Sequence, residues 1–535
     1  MSHNTLYSTA DGQALLEKLD DIMKEVDIIS QKKLTPTQDQ MWSMIYVVRD
    51  FVKEKKRKIY GGFALNKLIE SVDPRDKFYS DDDVKSWDID FYSPDPIGDA
   101  KEIAKRLHEK GFCHVQARMA QHDETYKVFA ETNDCADITY VPRNIYNKIP
   151  FKEIDGMVYT GPHFMMIDYF RVITDPLTSY FRLDKTFTRL CLMMKHYTLP
   201  HITSAIDIIP PDRDLDIALH AIHTFLIGRE STIIVGMYAY NHFIKESGII
   251  ERTKEMKRSA KDDKKYKNVA KINFVDINYY EIVSTQYKSD TRDLILTLQD
   301  KFPTNKTKIT YRENYPFFQY LGFNVDIYCD NEIVCRVYHY NYRCVPFLNV
   351  PALYFKKASY DEEKGNVRLG TLATQMMYNL INVMRARTNN DLNTKNLYYT
   401  MISHTIDMKN YYFGKTGKTI FDESLFQEFI LRCVGMTYTP QMEKAIRFEK
   451  RMKHGKRISW SFNPKIDTDH ENVYTFKNSS GNPIKNDKNK KINLSSKGTC
   501  ENEDDYDEND EDSLDSHDEA NDELQENDKD ANRNE

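Results

Sequence analysis

The 535-residue chain has eight cysteines, Cys113, Cys135, Cys191, Cys329, Cys335, Cys344, Cys433 and Cys500, and no two of them form a C-x-x-C pair. That scatter argues against a disulfide framework and predicts reduced thiols in a cytosol-like compartment. Cys329, Cys335, His339 and Cys344 lie close in sequence, but their irregular spacing lacks a zinc-knuckle pattern and reads as strand-borne core thiols. Long apolar runs are also missing: the greasiest, IIVGMYAY, is far too short to cross a bilayer. The opening MSHNTLYSTADGQALLEKLD has no basic-then-apolar leader pattern, so neither secretion nor membrane insertion is expected.

Apolar residues are nearly absent from the last 35 positions. Glu501–Glu535 holds 18 acidic residues against Lys529 and Arg533, a charge of about −16, and the net charge of −7 therefore leaves about +9 on residues 1–500. Such a tail cannot offset its ordering entropy and is expected to be disordered and solubilising. The body, with 40% hydrophobic and 12% aromatic residues, has the material for two or three cores.

Thr35, Pro36 and Gln38 read as the capped start of a helix over 35–55, with Met41, Met44, Ile45, Val48 and Val52 on its buried face. The short strand Lys58-Ile-Tyr follows, and the pair Gly61-Gly62 then opens a helix, FALNKLIE. Strand, glycine pair and helix in this order leave backbone N–H groups and a positive helix end where an anion can sit. Further on, SWDIDFY puts Ile89 and Phe91 on one face of a strand and Asp88 and Asp90 on the other, with Cα atoms roughly 7 Å apart. After a helix (DAKEIAKRLHEKGF) and the strands HVQARMA and YKVFAE, the strand CADITYV points Asp137 and Thr139 away from Ile138 and Tyr140. A third carboxylate can thereby join the first two. Asp81, Asp82 and Asp83 cannot all aim at one point and read as a solvated loop.

The chain also repeats itself. Lys58–Asn66 (KIYGGFALN) returns as Ile233–Asn241 (IIVGMYAYN), and Asp88–Tyr92 (DIDFY) as Asp276–Tyr280 (DINYY). The strand around Asp137 matches CRVYHY, which puts Arg336 in the place of Asp137, and GPHFMMIDYF from Gly161 matches GTLATQMMYNL from Gly370. On this reading the second copy replaces Gly62 by Met237, Asp90 by Asn278 and Asp137 by Arg336. An arginine there would repel a cation.

The ordered set of a glycine pair before a helix, D-h-D on a strand and a lone Asp on a later one resembles the nucleotidyltransferase fold of the DNA polymerase β superfamily. With RVITDPLTSYFRLDKTFTR at 171–189, YGGFALN and DIDFYSP look like the poly(A) polymerase catalytic subunits of large cytoplasmic DNA viruses, the mimivirus type especially. The likeness covers about residues 35–400. It departs in the long insertion between Gly62 and Asp88.

The resemblance implies an α/β (α+β) architecture of two tandem nucleotidyltransferase-like domains, each a small mixed sheet with flanking helices, the second degenerate. It further implies that Asp88, Asp90 and Asp137 hold two Mg2+ or Mn2+ ions, that Gly61 and Gly62 admit the triphosphate of ATP, and that AMP is added to an RNA 3′ end without a template. Lys185 and Arg189, four apart on one helix face, are nucleotide-binding candidates; Arg171 and Arg182 are weaker ones.

Two basic segments are suited to RNA backbone. One, residues 252–271, carries Lys257, Arg258, Lys264 and Lys265; the other, residues 444–457, carries Lys450 and Arg451. The expected division is a catalytic domain at 1–200, a degenerate domain with RNA surface at 201–465 and a disordered region at 466–535. The family suggests a homodimer acting in the host cytoplasm, with packaging in the virion left open. Rivals are a uridylyl or CCA-adding transferase, since no residue selects adenine, and a non-catalytic RNA-binding scaffold subunit.

Overall fold

A computed structural model describes residues 7–34, 36–80, 88–122, 124–202, 204–206, 213–250, 272–302, 307–356, 359–454 and 460–467. Its contacts gather the chain into two compact units, neither contiguous in sequence: Met1–Ile59 with Phe78–Tyr140 and Phe448–Glu535, and Tyr60–Lys77 with Val141–Arg447. The acidic tail, the 81–83 triplet and the 252–271 segment with Lys257, Arg258, Lys264 and Lys265 lie outside the described residues.

In the first unit β1 (Lys58–Ile59) pairs antiparallel with β2 (Ile89–Ser93), and β2 pairs parallel with β5 (Asn133–Tyr140). Beyond β5 run β4 (Thr125–Ala130) and β3 (Gln116–Met119), both antiparallel, with the short strand Ser461–Phe462 at the edge. Two amphipathic helices, Gln38–Lys55 and Pro96–Glu109, cover one face and bury Val48, Phe51, Val52, Ile103 and Leu107 on it. Phe51 and Phe91 meet at 6.1 Å between ring centroids, and the Arg57 guanidinium donates to both oxygens of Asp99 at 2.6 and 2.7 Å. The first of these helices starts two residues later than the sequence predicts. Its cap is Thr37, whose hydroxyl accepts from the Gln40 N–H while the Gln40 side chain accepts from the Thr37 N–H, a capping box of the predicted kind shifted by two residues.

The second unit begins with the helix Gly61–Glu70 and contains the hairpin of β6 (Phe151–Ile154) and β7 (Met157–Thr160), which runs into the helix Pro162–Ile173. Its larger sheet consists of β8 (Thr232–Val235), β9 (Tyr280–Ser284), β10 (Ile309–Asn314), β11 (Asn324–Cys329), β12 (Glu332–His339), β13 (Val345–Lys356), β14 (Ser359–Gly370) and β15 (Cys433–Val434), in the order β10-β11-β12-β9-β8-β14-β13-β15. Helices Gly236–Ser247, Leu372–Thr388 and Leu392–Thr416 contribute most of the deep aromatic core, with Tyr238, Tyr240, Phe243 and Tyr398 buried among them.

The run β3-β4-β5-β2-β1 recurs, with the same parallel and antiparallel senses, as β10-β11-β12-β9-β8. The hairpin β13–β14 followed by a helix likewise repeats β6–β7 and its helix. One nucleotidyltransferase-like fold is present twice, as the sequence repeat predicts. Cysteine chemistry differs from the expectation of eight reduced thiols. β13 pairs with β15, placing Val345 opposite Val434, and the adjacent Cys344 forms a disulfide with Cys433 at a Cα separation of 5.3 Å. Cys329 and Cys335 are buried free thiols on strands.

Candidate active site

Ile89 and Phe91 are fully buried against the two covering helices, so the alternation of β2 turns Asp88, just ahead of the strand, and Asp90 to its other face. The parallel register sets Asp90 beside Asp137 on β5. One ligand oxygen from each of Asp88, Asp90 and Asp137 lies within 4.8 Å of the other two, the one such cluster of metal-ligating groups among the described residues. Burial pushes the Asp137 carboxyl up to about 6, and the Asp88 charge adds to the shift while Lys127 opposes it. Asp137 Oδ1 is buried beside the Lys127 ammonium. Three converging hard carboxylate oxygens fit a divalent cation.

Lys127 is the residue that the sequence did not point to. Its Nζ lies 3.0 Å from Asp137 Oδ1 and 2.8 Å from Asp134 Oδ2. In the strand Thr125–Ala130 it stands between buried Tyr126 and Val128, and the β4–β5 ladder places it directly opposite Asp137. Period-2 alternation in YKVFAE is the signal that would have put it on the acidic face.

Gly61 begins its helix with φ +75°, in the left-handed region, and Gly62 is the next residue. Against the helix Gly61–Glu70 lies the helix Leu183–His196, tied to it by Tyr197 Oη donating to the Leu68 carbonyl at 2.7 Å, while Asp76 in the turn Pro74–Asp76 accepts from Lys195 and His196. Lys185 is exposed and Arg189 half-buried on that second helix. Arg171 pairs with Asp168 at 2.6 Å, and Arg182 stacks over the Phe181 ring at 5.2 Å. Between them the buried Asp175 accepts from the Thr178 N–H and the Ser179 hydroxyl, which fixes the DPLTS turn. Lys450 and Arg451 sit on the helix Pro440–His454, Lys450 exposed.

The second sheet corrects the matching of the repeat. Lys58 faces Tyr92 across β1–β2, and its repeat partner Ile233 faces Val283 across β8–β9. Asp88, Asp90 and Asp137 therefore correspond to Tyr279, Glu281 and Arg336, and the pairing of Asp90 with Asp137 is repeated by that of Glu281 with Arg336. Asp276 and Asn278, matched to Asp88 and Asp90 by their letters, lie ahead of the strand, which begins at Tyr280. A slip of three is odd, so it also exchanges the faces of the strand.

In this copy the site is filled. Glu281 Oε1 accepts from Tyr338, Asn382 and Tyr398 at 2.6, 3.0 and 3.0 Å, and Arg336 donates to Asp326 at 2.6 and 3.1 Å. Gly236 keeps the left-handed φ of Gly61, at +70°, but its N–H donates to Gln375 Oε1 at 2.9 Å. The helix end that could receive a phosphate is closed by a side chain.

This strand order, with an acid cluster in one copy and its replacement in the other, defines a nucleotidyltransferase-like protein. The family model of the poly(A) polymerase catalytic subunit matches residues 46–179, which include Gly61, Gly62, Asp88, Asp90 and Asp137. A second model, described as the C-terminal part of a candidate mimivirus poly(A) polymerase catalytic subunit, matches residues 226–494. A candidate poly(A) polymerase catalytic subunit of Acanthamoeba polyphaga mimivirus is 31% identical over 502 residues, 90% of this chain and 84% of the relative. One from African swine fever virus is 27% identical over 195 residues, 35% of this chain and 39% of that protein. The crystal structure of the Megavirus polyadenylate synthase superposes with a TM-score of 0.70 at 28% identity, covering 91% of this chain and 94% of that one. The chain belongs to the poly(A) polymerase catalytic subunit family, and its activity is RNA polyadenylation.

Proposed function

We propose that polyadenylation is carried out at the Asp88–Asp90–Asp137 cluster, with ATP as the donor and an RNA 3′-hydroxyl as the acceptor. The observation that carries this reading is the convergence of the three carboxylates in one copy and their replacement by Tyr279, Glu281 and Arg336 in the other. Two Mg2+ or Mn2+ ions held there would supply activation of the hydroxyl and neutralisation of triphosphate charge. Asp90 and Asp137, fixed by β-ladder pairing, offer oxygens at a set separation, and Asp88 closes the group from the strand's start. Gly61 and Gly62, which carry no Cβ, would let the backbone approach a phosphate. Lys185 and Arg189 add positive charge on the neighbouring helix, and Lys257, Arg258, Lys264, Lys265, Lys450 and Arg451 attract RNA backbone.

The deciding experiment incubates the full-length protein with labelled RNA, Mg2+ or Mn2+, and each nucleoside triphosphate separately. ATP alone should give long 3′ extension, and Asp90→Asn should abolish it. Extension with UTP or CTP to the same extent would reassign the enzyme among tailing transferases. The division at residues 200 and 465, the homodimer and the place of action in the host cytoplasm or virion rest on the resemblance of the motifs to the viral enzymes. Sedimentation equilibrium and fractionation of infected cells test the last two.

A further inference from the structure

The acidic face carries one charged group that the metal reading does not use. Lys127 contacts Asp137 and Asp134 at once, and because β4 pairs it directly with Asp137, the strand register rather than the reach of a flexible stem sets that contact. The second copy carries the same cross-strand pair with its charges exchanged. Asp326 on β11 stands opposite Arg336 on β12, at the positions of Lys127 and Asp137. There the acid is 2% exposed, is also approached by Arg312, and is bound by a fixed guanidinium. In the first copy the base is a lysine on β4, and Asp134, 38% exposed, gives its ammonium a second place to stay.

We propose that Lys127 is the resident counter-cation of the acid cluster, holding Asp137 while no metal is bound and passing to Asp134 when a divalent cation takes the Asp137 oxygen. The proposal rests on the metal reading of Asp88, Asp90 and Asp137. One consequence concerns substrate. An ammonium at this place repels a bare divalent cation and attracts the net-negative complex of that cation with ATP, so Lys127 favours metal that arrives on the nucleotide. It acts as a positioning residue through Asp137.

The test measures Mn2+ binding to the full-length protein by electron paramagnetic resonance of the free ion, with and without a non-hydrolysable ATP analogue. Lys127→Met, which keeps most of the stem and removes the charge, should tighten binding of Mn2+ alone by about tenfold, as expected for one unit charge a few ångströms away in a partly exposed site. It should not tighten binding in the presence of the analogue, and Lys127→Arg should stay close to wild type in both. Asp134→Asn should weaken binding of Mn2+ alone, and by less in the Lys127→Met background, because the handover then has nothing to hand over. Unchanged or weaker Mn2+ binding in Lys127→Met, or equal losses from Asp134→Asn in both backgrounds, would overturn the proposal. If Lys127→Met does not fold by circular dichroism, Lys127→Gln replaces it in the same measurement, with tighter binding of Mn2+ alone supporting the proposal and unchanged or weaker binding overturning it. Asp90→Asn separates the two ideas: if it leaves Mn2+ binding intact, the metal reading itself has failed.

Discussion

Arg336 occupies in the second sheet the place that Asp137 occupies in the first, each facing the acidic position of the neighbouring parallel strand. The exchange converts a site that can take a cation into one with a cation built in. It also makes the second copy an internal reference for the first.

That reference sharpens the mutational test. Asp88→Asn, Asp90→Asn and Asp137→Asn keep side-chain size while removing a charge, and each should slow nucleotide addition by at least about 100-fold, about 2.7 kcal/mol of barrier. Asp276→Asn should leave the single-turnover rate near wild type. Asp90→Asn with near wild-type rate would place the chemistry elsewhere.

Arg336→Met should damage stability and spare chemistry. It leaves the buried carboxylate of Asp326 without its bidentate partner, and breaking a buried pair from one side costs about 3–5 kcal/mol. Replacing both at once, Asp326→Leu with Arg336→Met, should recover much of that loss. Urea midpoints for the two variants, compared at one temperature, decide it; equal destabilisation by the single and double changes would contradict the prediction.

RNA affinity should fall with salt through the basic segments. Changing Lys257, Arg258, Lys264 and Lys265 together to Ala should raise the dissociation constant for RNA and flatten its dependence on salt, since each phosphate contact contributes to the slope. Filter binding at a low and a high salt concentration measures both effects. A mutant with the wild-type slope would show that these charges do not touch the backbone.

Acid should weaken the second unit. Burial depresses His242 to about 3 and His404 to about 4, both nearly inaccessible, with His404 Nδ1 2.7 Å from Tyr240 Oη. The unfolded chain takes up these protons near pH 6.5 while the folded one resists until pH 3–4, so stability is lost as pH falls below 6.5. The loss is on the order of 3 kcal/mol per histidine by pH 4. Denaturation midpoints at pH 7.5 and 5 should differ less in His242→Phe than in wild type.

Much of this arrangement is legible in the chain. Gly61, Asp88, Asp90 and Asp137 stand out because glycine before a helix and acids alternating with Ile89, Phe91 and Ile138 leave local patterns. What escapes is non-local. Lys127 is one polar residue in an apolar strand until the β4–β5 ladder brings Asp137 across from it. The match of DINYY to DIDFY follows letters, whereas Tyr279–Val283 shares only its place in the sheet with Asp88–Tyr92. Cys344 and Cys433, 89 residues apart, meet only through β13 and β15.

Gly236 retains the backbone of Gly61 although Gln375 caps its N–H and the Glu281 carboxylate leaves no room for a Cβ. The first glycine of the pair has thus outlived any role in holding phosphate, because the turn itself demands it, while the second has drifted to Met237. Among related chains, a glycine aligned with Gly61 should therefore mark common descent of the fold, and only a glycine aligned with Gly62 should track enzymes that still transfer nucleotides.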